Sequence, residues 1–91
     1  MTRSTPIDEA ALCNWLIAAV ARYARVSEAS VSAGTAFREA GLSSLAAVML
    51  SGELCDEFGI EVDPMLTWDY PTIGEVARAI AQGRVGVPPV T

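Results

Sequence analysis

The sequence predicts an all-α fold, a four-helix bundle with a short third helix and a long connection between the first two helices. Apolar residues recur at intervals of three and four in two long stretches, residues 6–24 and 44–58. Two shorter stretches, residues 63–69 and 72–83, open with residues that cap helices. Residues 60–62 (IEV) are too few to be assigned as a strand.

Length and composition fit one small folded domain. The 91 residues suffice for a single modest core, and a hydrophobic content of 52% is typical of a globule rather than a disordered chain. The last helical pattern ends near Gly83, and valine and proline dominate the residues that follow. We therefore expect a domain over residues 1–83 and a tail or linker over residues 84–91.

The charge balance argues against several kinds of function. The net charge is −5, and no basic stripe is present, which argues against nucleic-acid binding. Histidine, the commonest general base and metal ligand, is missing, so we expect neither an enzyme nor a metal site. No stretch approaches the roughly 20 apolar residues of a membrane span. We expect a soluble protein with no secretion signal and no membrane partner.

Both cysteines, Cys13 and Cys55, lie alone within apolar helical patterns. Isolated cysteines in such surroundings are more often buried free thiols than members of a disulfide or a metal site. Free thiols favour a reducing, cytoplasmic location.

The first helix is predicted to run from about residue 6 to residue 23 or 24. Thr5 stands where an N-cap is expected, with Pro6 at the first helical position and Asp8 three residues after the cap. Trp15 is expected to be a core or half-buried anchor. The stripe that should face the core consists of Ile7, Ala11, Leu12, Trp15, Leu16, Ala19, Val20 and Tyr23.

Residues 25–43 lose the helical period. They are predicted to form a long connection that Val26, Val31 and Phe37 pin to the core. Residues 37–40 should form a short turn just before Gly41, because a glycine backbone can enter a tight turn.

The second helix is predicted from Ser44 to residue 57 or 58, with Gly59 as the left-handed residue that ends it. Ser43 and Ser44 both stand at its start, so one should cap the helix while the other points outward. An outward serine there would lie beside unpaired backbone N–H groups and the positive end of the helix dipole. It would be a suitable place for a phosphate ester.

Charge is unevenly distributed along this second helix. Residues 45–52 carry no charge, whereas the far end is acidic. Simple core packing would account for the uncharged half. The other interpretation is a mostly apolar docking patch at the surface, formed by Ala46, Ala47, Met49 or Ser51.

Two helices are predicted in the last third of the chain. The short third helix should cover residues 64–69, with Asp63 as its cap and a proline at its first position. The fourth helix should open with a capping box between Thr72 and Glu75, and should stop at Gly83.

Two motifs resemble those of the acyl carrier proteins, in particular the carrier domains of polyketide synthases. Residues 37–45 (FREAGLSSL) are similar to that family's phenylalanine-containing turn followed by glycine, a hydrophobic residue, usually aspartate, then serine and leucine. Residues 68–72 (WDYPT) resemble the family's second motif, which precedes the last helix. The motifs stand at family spacing, and the resemblance covers about residues 7–82. It implies a four-helix bundle of the acyl-carrier-protein type.

The resemblance also implies a function. Ser44 aligns with the serine that receives a 4′-phosphopantetheine arm from coenzyme A through a magnesium-dependent phosphopantetheinyl transferase. The thiol of the arm would carry acyl or polyketide intermediates as thioesters between partner enzymes. The implied partners are an acyltransferase or acyl-AMP ligase, a ketosynthase and other synthase enzymes. The carrier itself would be a monomer without catalytic activity.

Three positions around Ser44 differ from the family pattern. Ser43 stands where aspartate is usual, Met49 where glutamate is frequent, and Ala46 where fatty-acid carriers are often acidic. We therefore expect partners to recognise this chain partly through apolar contact. The predicted docking residues are Leu42, Ser43, Leu45, Ala47, Met49 and Glu53.

Two other functions fit parts of the sequence. A peptidyl or aryl carrier of a nonribosomal peptide synthetase would use the same arm, but that family tends to have two glycines before the hydrophobic residue, where this chain has Ala40-Gly41-Leu42. An unmodified helical interaction module would use Ser44 only as a cap. The acyl cargo and the choice between a discrete protein and a domain of a larger synthase stay open.

Overall fold

The computed structural model describes residues 8–62 and 69–83, which form three α-helices and no β-strand. The helices are α1 (Glu9–Ala24), α2 (Ser44–Phe58) and α3 (Ile73–Ala81), and a 3₁₀ turn covers Glu28–Ser30. The helical class is thus confirmed for the described residues. The predicted short helix over residues 64–69 falls almost wholly outside them, so the count of four helices stays a prediction. The tail over residues 84–91 also lies outside.

Helix α1 begins later than predicted. Its N-cap is Asp8, whose carboxylate accepts a hydrogen bond from the backbone N–H of Ala11 at 3.2 Å. Asp8 has extended backbone angles, so the helical conformation starts at Glu9 and not at Pro6. Thr5 and Pro6 lie outside the described residues. The end of α1 at Ala24 agrees with the prediction.

The core lies where the apolar stripe of α1 packs mainly against α3, with α2 covering part of it. Trp15 is half-buried at the edge of this core, and its ring meets that of Phe58 edge-on with centroids 5.5 Å apart. The predicted role of Trp15 as an anchor is confirmed. The largest fully buried side chains are Leu12, Leu16, Val20, Leu54, Ile73 and Val76.

The two cysteines are free, as predicted, but they are half-buried rather than buried. Each lies one position from a core leucine, at the edge of the apolar stripe. Partial burial, with the carboxylate of Glu9 nearby, raises the pKa of the Cys13 thiol. The Cys55 sulfur accepts a hydrogen bond from the backbone N–H of Val62 at 3.4 Å.

The connection between α1 and α2 is pinned to the core by two of the three predicted residues. Val31 and Phe37 are 7% and 5% exposed. Val26 is 46% exposed, so its predicted burial is wrong. Its backbone N–H bonds to the Ala21 carbonyl in the turn that ends α1, where a side chain points away from the core.

Backbone hydrogen bonds tie the same connection to the start of α3. The N–H of Phe37 donates to the Pro71 carbonyl at 2.9 Å, and the N–H of Ile73 donates to the Thr35 carbonyl at 3.2 Å. The turn that precedes α2 and the entrance to α3 are therefore held side by side.

Helix α3 begins with the predicted capping box. The Thr72 hydroxyl accepts from the N–H of Glu75, and the Glu75 carboxylate accepts from the N–H of Thr72, both at 3.2 Å. The helix ends at Ala81, and Gly83 follows in the left-handed region with φ 75°. Across the described ranges, no helix is long and apolar enough to cross a bilayer.

Candidate functional site

The site begins with a tight turn over residues 37–41. The N–H of Ala40 donates to the Ala36 carbonyl at 3.1 Å, and the N–H of Gly41 donates to the Arg38 carbonyl at 3.3 Å. Gly41 has φ 82°, a conformation that a residue with a side chain rarely adopts. The predicted turn is confirmed, and it brings the chain round to the start of α2.

Ser43 and Ser44 divide the two roles predicted for them. Ser43 is the N-cap, and its hydroxyl oxygen accepts a hydrogen bond from the N–H of Ala46 at 3.1 Å. Ser44 is the first residue of α2 and is exposed. Among the described residues, none forms a hydrogen bond with the Ser44 hydroxyl. Its oxygen is therefore accessible to an incoming reagent. At the far end, Gly59 stops the helix in the left-handed conformation, as predicted.

An open depression of about 340 Å³ lies beside Ser44. The turn before α2 forms one side of it, the first residues of α2 form another, and the entrance to α3 contributes a proline. Among the described residues of its lining, Arg38 alone is charged. The described lining comprises Phe37, Arg38, Leu42, Ser43, Ser44, Ala47 and Pro71.

Beyond Ser44, α2 presents an apolar face to solvent. Leu45 is 68% exposed, and Val48 and Met49 are each 50% exposed. Ala46 and Ala47 are half-buried. We call the three exposed residues, Leu45, Val48 and Met49, the apolar face of α2. Leu45 and Met49 are among the predicted docking residues, whereas Val48 was not predicted, although all three follow helical spacing.

Ser51 is buried, so it does not belong to the surface patch that was one interpretation of the uncharged half of α2. It is 7% exposed and lies on the side of α2 that carries Leu50 and Leu54. Its hydroxyl donates a hydrogen bond to the Ala47 carbonyl at 2.9 Å, one turn earlier in the helix. This bond satisfies the hydroxyl, so the side chain can be buried without an unpaired polar group.

The Glu53 carboxylate binds two side chains of α1. One oxygen accepts from the Arg22 guanidinium at 2.6 Å, and the other accepts from the Tyr23 hydroxyl. The hydrogen bond to Tyr23 is the main cause that raises the pKa of Tyr23 above its ordinary value. The cluster joins α1 to α2 next to the apolar face of α2. Because the partners are about thirty positions apart, helical spacing gave no signal for it.

The remaining predicted residues lie around Ser44. Leu42 is half-buried in the depression, Ser43 is exposed at the helix start, and Ala47 lies one turn into α2. The structure thus brings Leu42, Ser43, Ser44 and Ala47 to one depression. It places Leu45 and Met49 on the solvent face and Glu53 at the α1 contact.

The residues present fit a phosphopantetheine group on Ser44. A phosphodiester needs an accessible hydroxyl, and the Ser44 hydroxyl is exposed without a competing hydrogen bond among the described residues. The neighbouring cap bond belongs to Ser43, so esterification of Ser44 would leave the helix start intact. Arg38 borders the adjacent depression, and its positive charge suits a negatively charged phosphate.

Comparison with known proteins places the chain in a family. The family described as "Phosphopantetheine attachment site" matches residues 14–80. The chain is 36% identical over 73 residues to one component of the phenolphthiocerol/phthiocerol polyketide synthase of Mycobacterium tuberculosis. It is 30% identical over 79 residues to the non-reducing polyketide synthase PKS16 of Cladonia grayi. These matches cover 80% and 87% of this chain but only 4% of each relative's length.

Solved structures are similar throughout most of the chain. A free-standing peptidyl carrier protein from Acinetobacter baumannii superposes with a TM-score of 0.79 at 32% identity, over 85% of this chain and 96% of that protein. The HMG-ACPI domain of the CurA module from Lyngbya majuscula, at 20% identity, shares the fold with a TM-score of 0.77, over 90% of this chain and 83% of that domain. The chain therefore belongs to the phosphopantetheine-attachment family of carrier proteins, whose members hold a covalently attached 4′-phosphopantetheine group.

Proposed function

We propose that this chain is an acyl carrier protein of polyketide biosynthesis, with its 4′-phosphopantetheine arm on Ser44. The observation that carries the proposal is the division of roles between two adjacent serines. Ser43 caps α2, and Ser44 holds an exposed hydroxyl that is free of hydrogen bonds within the described residues. The similarity to two polyketide synthases supports the choice of pathway.

Attachment requires one substitution at phosphorus. The Ser44 oxygen forms a bond to the coenzyme A phosphorus that bears the pantetheine, and the bond from that phosphorus to the bridging oxygen of the diphosphate breaks. Adenosine 3′,5′-bisphosphate leaves, and the serine proton passes to a base of the separate transferase. The attached arm supplies a thiol that holds an acyl group as a thioester. The chain's own part is to present Ser44 at an accessible helix start.

The partner enzymes would dock on the apolar face of α2 and on the neighbouring residues Leu42, Ser43 and Ala47. This face is uncharged and lies next to Ser44, so a partner bound there has the arm within reach. The partners are the transferase, an acyltransferase or acyl-AMP ligase, a ketosynthase and other synthase enzymes. Glu53 would mark the edge of this surface, where its carboxylate is held by α1.

The chain itself would act as a monomeric, non-catalytic carrier in the cytoplasm. Two free cysteines fit a reducing compartment. A carrier needs no catalytic group of its own, because the arm is attached in the active site of the transferase and the cargo on the arm reacts in the active sites of the other partners.

The mass of the intact protein tests the proposal. Incubation with coenzyme A, magnesium and a broad-specificity transferase should add one phosphopantetheinyl group to the natural chain and to Ser43→Ala, and none to Ser44→Ala. A well-folded natural chain that gains no mass would contradict the carrier function. It would favour an unmodified helical interaction module.

A peptidyl carrier is the second candidate, because the free-standing carrier from Acinetobacter baumannii shares 32% identity with this chain. The cargo separates the two candidates. If the chain is an acyl carrier, its arm should accept an acyl group such as malonyl from an acyltransferase. Loading by an aminoacyl-adenylating enzyme, with no loading by acyltransferases, would favour the peptidyl carrier.

A further inference from the structure

Arg38 is the one charged residue in the described lining of the depression beside Ser44. It is exposed, and no hydrogen bond or ion pair joins its guanidinium to another described residue. Arg22 and Arg78 differ, because they pair with Glu53 and Glu9. Within the part of the chain that the structure describes, the five N–H donors of Arg38 are therefore open to a ligand or a partner.

The backbone around Arg38 is held in place. Its carbonyl accepts from the N–H of Gly41, and the preceding residue, Phe37, is buried and bonded through its N–H to Pro71. The adjacent acid, Glu39, turns its carboxylate to the N–H of Ala36 at 3.3 Å. The carboxylate next to Arg38 in the sequence thus binds the backbone of the turn, and the described residues form no ion pair with Arg38.

We propose that Arg38 is a positioning residue that binds the phosphodiester of the arm on Ser44. This role rests on the proposed attachment at Ser44. A phosphodiester carries one negative charge at neutral pH, and the planar guanidinium fork matches two phosphate oxygens. Arg38 and Ser44 border one depression, so a phosphate on Ser44 would lie on the same side of the molecule as Arg38.

The same contact sets the direction of the arm. With its phosphate held by Arg38, the first part of the arm, which bears two methyl groups, lies over the apolar part of the depression. Phe37, Leu42, Ala47 and Pro71 supply that apolar surface. The arm would thus rest against its own carrier between reactions and leave when a partner binds.

The interaction between Arg38 and the phosphodiester should be weak, because a carrier must release its arm to each partner. Ion pairs between exposed groups change an equilibrium by up to about fivefold and weaken with added salt. Arg38 should therefore bias the arm toward the depression without trapping it.

Isotope-filtered NMR on the protein with its arm attached to Ser44 tests this role of Arg38. With a ¹³C,¹⁵N-labelled chain and an unlabelled arm, cross-peaks between arm and chain report direct contact. We expect cross-peaks from the two arm methyl groups to Phe37, Leu42 and Ala47. In Arg38→Gln these should weaken by about two- to fivefold, and the ³¹P shift of the phosphodiester should change.

Two variants serve as controls. Arg25→Gln removes the same charge from an exposed position outside the depression, and should keep the cross-peaks and the ³¹P shift of the natural chain. Arg38→Lys keeps the charge without the fork, and should weaken the cross-peaks less than Arg38→Gln does. High salt should reproduce the effect of Arg38→Gln in the natural chain.

The outcomes separate the role of Arg38 from the proposed function. A natural chain that gains the arm by mass but shows no cross-peaks at the depression would overturn the role of Arg38 and leave the carrier function standing. Equal weakening in Arg38→Gln and Arg25→Gln would also overturn it. A chain that gains no mass would overturn both.

Discussion

The hydroxyl oxygen of Ser43 accepts a hydrogen bond from the backbone N–H of Ala46 at 3.1 Å and so caps α2. The next residue, Ser44, takes no part in this cap. Ser43 therefore stabilises the helix start, whereas Ser44 is the proposed site of phosphopantetheine attachment.

Ser43→Ala should lower the free energy of unfolding by about 1 kcal/mol, because it leaves the Ala46 N–H without its side-chain acceptor. In a domain of this size that corresponds to a fall of about 4–8 °C in the melting temperature. Thermal unfolding followed by circular dichroism measures it. Ser44→Ala is the matched control and should stay within about 0.5 kcal/mol. A larger loss in Ser44→Ala than in Ser43→Ala would show that the cap is not Ser43.

Met49→Glu should weaken docking of partner enzymes, because it places a charge in the apolar face of α2. We expect KM for loading of the holo-protein by a partner acyltransferase to rise by about fivefold or more, the loss that corresponds to an interface residue worth about 1 kcal/mol.

Val26→Glu is the matched control for this prediction. Val26 has a similar exposure, 46% against 50% for Met49, but lies in the connection that follows α1. It should leave KM unchanged. If the Met49→Glu variant accepts the acyl group from every partner at the rate of the natural chain, docking does not use the apolar face of α2.

The Tyr23 hydroxyl donates to Glu53, and this bond holds the pKa of Tyr23 above its ordinary value. The proton is bound more tightly in the folded chain than in the unfolded chain. The resulting stabilisation is complete below the unfolded pKa of about 10 and is lost as the pH rises through the folded value.

An absorbance titration of the phenol in a Tyr70→Phe background measures the pKa of Tyr23. We expect it to lie above its ordinary value of about 10, and to move down toward that value in Glu53→Gln, which keeps an acceptor but removes the charge. Stability at alkaline pH should fall more steeply in the natural chain than in Tyr23→Phe. A phenol that titrates at the same pH with and without the Glu53 charge would contradict this assignment.

The features predicted well from the sequence are those that depend on neighbours along the chain. A serine cap at the start of α2, the Gly59 stop and the capping box between Thr72 and Glu75 each use hydrogen bonds or backbone angles within a few residues. Local chemistry decides such features, so the sequence carries them directly.

The start of α1 was predicted wrongly because two sets of local signals compete there. Thr5 and Pro6 indicate one start, whereas the Asp8 carboxylate reaches the N–H of Ala11 and sets the start at Glu9. Cap signals alone do not rank such alternatives.

Features that depend on tertiary packing were missed. One interpretation of the uncharged half of α2 placed Ser51 in a patch at the surface, but the bond from its hydroxyl to the Ala47 carbonyl permits burial on the core side of α2. The contacts of Glu53 with Arg22 and Tyr23 span about thirty positions and become visible only when α1 and α2 are placed side by side. The motif over residues 37–45 pointed to Ser44, but it did not predict that Arg38 would border the same depression.

Locating the modified residue tests the attachment at Ser44 most directly. A glutamyl endopeptidase should release residues 40–53 (AGLSSLAAVMLSGE) from the protein treated with coenzyme A and transferase. Fragmentation of this peptide by tandem mass spectrometry distinguishes its three serines, Ser43, Ser44 and Ser51. We predict the phosphopantetheinyl group on Ser44 alone, with unmodified Ser43 and Ser51. The group on Ser43, or a peptide that stays unmodified in a folded chain, would contradict the assignment.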